Sequence, residues 1–389
     1  MSEFTFTAPP PLALYVHLPW CVQKCPYCDF NSHAAREIPE TAYVDALLAD
    51  LEQELPAVWG RRVESVFLGG GTPSLFSGEA IDRLLSGIRA RLPLVPGAEI
   101  TLEANPGTVE AGRFADYRAA GVNRLSLGVQ SLDDGRLRAI GRIHDAAQAR
   151  AAVETARRAG FDHLNLDLMF GLPGQDRSAG LRDLQAAIDL APEHLSWYQL
   201  TLEPHTPFAS APPPLPEEEE IVALWEAGRE RLAAAGYGQY EVSAYARPGH
   251  RCRHNLNYWT FGDYLGIGAG AHGKITDAPG GRIRRYHKQR GPQAYLRTAA
   301  TPERIRGERR LDADEVVFEF MMNVLRLPEG GDRTLFEART GLPFARVQTR
   351  LETLAQEGWL VFDGDRFRAS ERGACYLDDL VARFLPDTP

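Results

Sequence analysis

Six apolar strands between residues 12 and 200, at 12–16, 63–68, 100–105, 124–130, 163–169 and 194–200, alternate with helical stretches. This alternation limits the fold more than any single motif does. The intervening helices are read from apolar spacing: Val44, Leu47, Leu48, Leu51 and Leu55 mark one over 40–55, and Ile81, Leu84, Leu85, Ile88 and Leu92 mark the next. Ser77 stands where an N-cap belongs. Further helices are expected over 110–120, 146–159 and 178–190. Strands that alternate with helices imply a parallel sheet. No doubly wound order is evident, so the expected fold is α/β, a partial (β/α)6 barrel. Functional residues of such barrels gather at the C-terminal ends of the strands. That rule selects Gly70, Gly71, Thr72, Glu103, Gln130 and Asp167.

The loop after the first strand carries Cys21, Cys25 and Cys28, spaced C-x3-C-x2-C. Thiolates are soft ligands suited to iron–sulfur clusters. Three of them on one loop can hold three irons of a cubane and leave the fourth open. A second reading adds His33 and makes a four-ligand structural zinc site. Five cysteines, three of them within eight residues, suit a reducing compartment and a metal site better than a disulfide framework. A net charge of −9 argues against a general nucleic-acid binder. No apolar run approaches the roughly 18 residues that span a bilayer, and residues 1–11 lack the pattern of a signal peptide. A cytoplasmic protein without a membrane span is expected.

Together the segments YVHLPWC-x3-C-x2-C, GGGTPS, LEANPG, LGVQS, GRIH and NLDLMFGLPGQ resemble the coproporphyrinogen-oxidase-like branch of the radical S-adenosylmethionine (SAM) superfamily, over residues 12 to about 290. The resemblance implies a partial (β/α)6 radical-SAM barrel over 12–208. By it, Cys21, Cys25 and Cys28 bind a [4Fe-4S] cluster whose open iron chelates SAM, and Tyr15 and Tyr27 pack near it. Gly70, Gly71 and Thr72 would receive the amino end of SAM. Glu103, Gln130, Arg142 and Asp167 would hold its carboxylate, ribose and adenosyl parts, Arg142 by bidentate pairing.

Two features divide the branch. Oxygen-independent coproporphyrinogen oxidases carry another cysteine two residues after the third, where this chain has Phe30. Residues 254–259, HNLNYW, match the HNxxYW motif of the haem-chaperone subgroup. The resemblance therefore implies a chaperone that binds the cluster, SAM and haem, and passes haem to acceptor proteins such as membrane-bound respiratory enzymes. Oxidative decarboxylation of porphyrinogen propionates is the alternative function, and a structural zinc protein is a third. A monomer or a homodimer is expected, and SAM turnover is left open.

In the motif, His254 is the expected iron ligand, while Tyr258 and Trp259 offer flat apolar surface. His250, Cys252 and His272 are weaker ligand candidates, better suited to structural roles. Residues 245–292 hold nine Lys or Arg against Asp263 and Asp277. That basic island suits haem propionates, or else is a solvated face or an RNA contact. The expected domains are a loose tail over 1–11, the barrel, a connector and haem-proximal region over 209–310, and a winged-helix-like domain over 311–389. Val222, Leu224, Trp225 and Leu232 should form the apolar side of a helix that starts at the acidic run 217–220. The last domain has nine arginines against fifteen acids, which opposes DNA contact and suits a lid or docking module. Its Cys375 is expected to be an inert buried thiol.

Overall fold

The structure is a computed structural model that describes residues 4–108 and 111–386. The first three residues of the tail, the last three of the C-terminal domain and position 110, the expected start of the third helix, lie outside the described residues. One twelve-stranded sheet organises the chain. Its strands are β1 (Leu12–Leu18), β2 (Val63–Gly70), β3 (Leu94–Ala104), β4 (Arg124–Gln130), β5 (Leu164–Phe170), β6 (His194–Gln199), β7 (Gly238–Glu241), β8 (Ala244–Ala246), β9 (Asp263–Ile267), β10 (His272–Asp277), β11 (Arg282–Lys288) and β12 (Ile305–Arg310). The spatial order is β12-β11-β10-β9-β1-β2-β3-β4-β5-β6-β8-β7.

Strands β1 to β6 pair in parallel and in chain order, as the alternating pattern requires. Helices Glu40–Glu54, Gly78–Arg89, Ala111–Ala120, Ala146–Arg158 and Arg177–Asp189 return the chain between them. Buried apolar side chains of helices and strands form one continuous core. Ser77 caps its helix by accepting a bond from the Ala80 N–H at 3.2 Å. Among the described residues no pairing joins β7 to β12.

Residues 209–310 are more than the connector and haem-proximal region of the sequence reading, which gave them the helix from 217–220 and no strands. They hold helix Glu218–Ala234 and six further strands, which extend the sheet at both ends. The cause lies in composition: antiparallel strands with a solvated face do not read as apolar runs, and β11 and β12 are rich in arginine. In helix Glu218–Ala234, Leu224 and Leu232 are buried, but Val222 is exposed.

The basic island is largely neutralised in the fold. Lys288 is fully buried and reaches Asp50 and Glu54, both on helix Glu40–Glu54, at 2.6 Å each. Arg304 meets the same two carboxylates at 3.1 and 2.9 Å. Lys274 pairs with Asp263, Arg284 with Glu54, Arg285 with Glu319, Arg282 with Asp277 and Arg251 with Glu329. The contacts of Lys288, Arg304 and Arg284 pin the added strands to the barrel helix, and those of Arg285 and Arg251 tie this region to the C-terminal part.

The C-terminal part has its own core around Phe320, Phe336, Phe344, Leu351 and Trp359. Helices Ala313–Val324, Arg333–Thr340 and Ala345–Gln356 pack with three short strands in the order Gly331–Asp332, Arg366–Ala369, Leu360–Phe362, a winged-helix arrangement. Two expectations fail here. Cys375 is exposed, because its short helix turns Gly373 inward instead. The described part of the tail is docked, not loose: Phe4 is buried in the C-terminal core and the Thr5 N–H donates to the Gly341 carbonyl at 2.8 Å.

Candidate functional site

The three cysteines open together into a cavity of about 400 Å³ at the C-terminal ends of the parallel strands. A two-stranded ribbon, Trp20–Cys21 paired with His33–Ala34, frames their loop. Its position is set by the glycine turn after β2: the Gly71 N–H donates to the Leu18 carbonyl at 2.9 Å and the Thr72 N–H to the Trp20 carbonyl at 2.7 Å. The Thr72 hydroxyl donates to Cys21 Sγ at 3.5 Å. Glycine is required at position 70, where φ is +117° and a Cβ would press on the His17 ring.

The cavity brings together every residue that the strand-end rule selected, and Arg142 with them. Gly70, Gly71, Thr72, Glu103, Gln130, Arg142 and Asp167 line it with Tyr27 and the three cysteines. The Gly70 N–H donates to Glu103 Oε2 at 3.1 Å. Burial first, and then the charge of Asp167, push the Glu103 carboxyl up to about 7, against the pull of that N–H. Asp167 is raised as well, chiefly by burial, and is braced by Ser126 at 3.2 Å and Asn165 at 2.8 Å. Gln130 takes a left-handed backbone, φ +67°, at the end of β4, and the Tyr198 hydroxyl donates to its Oε1 at 2.7 Å. A non-glycine residue there is strained, as is common where a side chain must face a ligand.

Sequence reasoning missed Ser126, Asn165 and Tyr198. Strand periodicity could have found them, since Ser126, Gly128 and Gln130 share one face, as do Asn165, Asp167 and Met169. Arg142 is held on two sides. Its Nη2 donates to the Gly128 carbonyl at 2.6 Å and its Nη1 to Cys25 Sγ at 3.6 Å. These bonds use two of the five guanidinium N–H donors and brace a thiol, while the buried Nε has no hydrogen-bond partner among the described residues. Tyr15 does not line this cavity. Its hydroxyl donates to His17 Nδ1 at 2.9 Å, in a neighbouring cavity.

These residues fit a cubane better than zinc. The three thiols share one cavity, and neither position the sequence reading considered for a fourth ligand supplies one there: Phe30 is in the wall, and His33 is not. Among the described residues no three His, Cys, Asp or Glu side chains converge on a point where one ion would sit.

The HNLNYW segment forms a short helix, Arg253–Trp259, against the barrel interior. His254 is buried, its ring stacked 5.0 Å from that of Phe67. Its Nδ1 bonds Ser65 Oγ at 3.0 Å and its Nε2 bonds the Tyr258 hydroxyl at 3.1 Å. Burial pushes it down to about 3, so it is neutral. With both nitrogens engaged, the expected role as an iron ligand would require opening one of these bonds. Trp259 also leaves its expected place. It packs on the C-terminal core beneath the Arg326 guanidinium, 4.3 Å from its ring centroid. Cys252 is buried with its thiol pushed up to about 12, chiefly by burial, and donates to Glu99 at 3.4 Å. His250 faces His163, nitrogen to nitrogen, at 3.0 Å.

The profile of the Radical SAM superfamily matches residues 15–186, and that of the HemN C-terminal domain matches residues 311–376. The chain is 51% identical over 379 residues to the heme chaperone HemW of Escherichia coli (strain K12), covering 97% of this chain and 99% of the relative. It is 48% identical to that of Haemophilus influenzae, again with 97% and 99% coverage. It is 37% identical to the mitochondrial radical S-adenosyl methionine domain-containing protein 1 of Bos taurus, covering 96% and 87%. Among solved structures, the coproporphyrinogen III oxidase HemN of Escherichia coli, described as a radical SAM enzyme, matches with a TM-score of 0.81 at 25% identity, covering 97% of this chain and 90% of that one. The chain belongs to the radical SAM superfamily and, within it, to the family of the heme chaperone HemW.

Proposed function

We propose that this protein binds haem and delivers it to acceptor proteins, holding a [4Fe-4S] cluster on Cys21, Cys25 and Cys28 and SAM beside it. The observation that carries the reading is the full-length identity of 51% to a heme chaperone. Phe30 supports it: the side chain is 62% exposed where the oxidase pattern calls for a cysteine. When bound, a cubane with one open iron supplies a site for the amino and carboxylate groups of SAM.

The chain's own residues then have defined tasks. The backbone of Gly70 and Gly71 allows close approach of the methionine end, and Thr72 supports Cys21. Glu103, Gln130 and Asp167 present acceptors to hydroxyl and amino groups of the nucleoside. Arg142 holds the loop of Cys25 against β4. Tyr27 closes the side of the cavity with Phe208, at 6.5 Å between ring centroids. Tyr258 faces a ligand from the neighbouring cavity, while His254 holds its hydroxyl in place. No described helix is long and apolar enough to cross a membrane, so a membrane-bound acceptor would be met by docking.

The test sets binding beside turnover on one preparation. Anaerobically reconstituted protein should contain about four irons per chain and take up haemin. It should give no protoporphyrinogen from coproporphyrinogen with SAM and reductant. Product formation would overturn the chaperone reading, and so would failure to bind haemin.

A further inference from the structure

We propose that haem sits in a second cavity beside the cysteines and that an imidazole of the His272–His287 pair takes its iron. The inference rests on the haem-binding reading above and names the seat and its ligands. The cavity, about 610 Å³, shares Phe30, Gly70 and Glu103 with the cysteine cavity. Its further walls come from β1, the HNLNYW helix and the strands β9 to β11.

An iron ligand needs a free imidazole nitrogen, and three histidines face this cavity. His17 has none to offer: Tyr15 occupies Nδ1, and Nε2 bonds the Asn31 carbonyl at 2.9 Å. His254, behind Tyr258, has none either. His272 and His287 lie directly opposite each other on β10 and β11, and their rings stack at 5.3 Å and 24°. Among the described residues neither of these two rings makes a hydrogen bond, and both line the open space. Because the rings stand side by side on one face, they serve one axial position.

The remaining walls match a porphyrin. Tyr258 and Tyr264 meet edge to face at 4.5 Å, and the exposed ring of Phe30 lies across from them. Arg290 stands at the rim, exposed. Asn31 fixes its backbone by donating to the Arg290 carbonyl at 2.9 Å. Arg290 makes no ion pair among the described residues, whereas Lys274, Arg284, Arg285 and Lys288 of β10 and β11 are all paired. It is therefore the cation left for a propionate.

The test uses full-length, cluster-loaded protein titrated anaerobically with haemin, read by absorption and electron paramagnetic resonance. The double variant His272→Ala/His287→Ala should lose the histidine-ligated spectrum, while His254→Ala keeps it; iron content reports retention of the fold. Arg290→Gln should weaken haemin binding roughly tenfold and leave the dimethyl ester of haemin unaffected. A wild-type spectrum in the double variant would overturn the seat and leave the haem reading standing. Wild-type protein that binds no haemin would overturn the reading itself. Should the double variant fail to fold, Arg290→Gln decides: equal loss for acid and ester would refute the seat.

Discussion

Glu103→Gln probes how the cysteine cavity manages charge. The Glu103 carboxyl stands at about 7 against an ordinary 4.5, raised by burial and then by Asp167. A rise of this size corresponds to about 3 kcal/mol resisting ionisation, and it leaves the group about half protonated at pH 7. A ligand that brings positive charge or hydrogen-bond donors to Glu103, as SAM would in the proposed seat, favours the ionised form. Binding at pH 7 should then release about half a proton, and the variant should release none from this position. The sign follows from the raised value. Between the ordinary and raised pKa the free, folded protein holds the extra proton, so SAM affinity rises with pH through that window and levels off above about 7. Over the same window the unfolded chain has already released its proton, so stability from this group falls as pH rises, and Glu103→Gln should remove that slope. The assay is calorimetric titration of cluster-loaded protein with SAM in two buffers of different ionisation heat. Identical heats in both buffers for the wild type would refute the argument, as would equal proton release by the variant.

Two further outcomes are expected. Lys288→Met leaves Asp50 and Glu54 in the interior with less positive charge, and should cost about 3–5 kcal/mol by denaturant unfolding; a loss under about 1 kcal/mol would mean that Arg304 and Arg284 suffice. Gly71→Ala puts a Cβ 2.7 Å from the Trp20 carbonyl carbon, which must shift the ribbon carrying Cys21; reconstituted iron per chain should fall, and full iron content would contradict that geometry.

The parallel half of the sheet was legible because strands buried on both faces read as apolar runs, as LALYVHL does in β1. The strand ends followed from topology, and most of the cavity with them. The added strands, antiparallel except where β9 pairs with β1, were hidden chiefly by their polar residues. Lys288 looks like a surface residue until Asp50 and Glu54, more than 230 positions away in the chain, are placed around it. The HNLNYW motif could be recognised but its orientation could not. Helical spacing puts His254 and Tyr258, four residues apart, on the same face; that geometry joins their side chains and turns Trp259 toward the C-terminal core. The partners that hold Arg142, the Gly128 carbonyl and the Cys25 sulfur, could not be read from its sequence neighbours.

Three residues, Phe30, Gly70 and Glu103, are party walls between two chambers. Whatever occupies one side changes the surface offered on the other, so nucleoside and cargo are not booked independently. Thermodynamic reciprocity then demands that each guest alter the other's hold by the same factor.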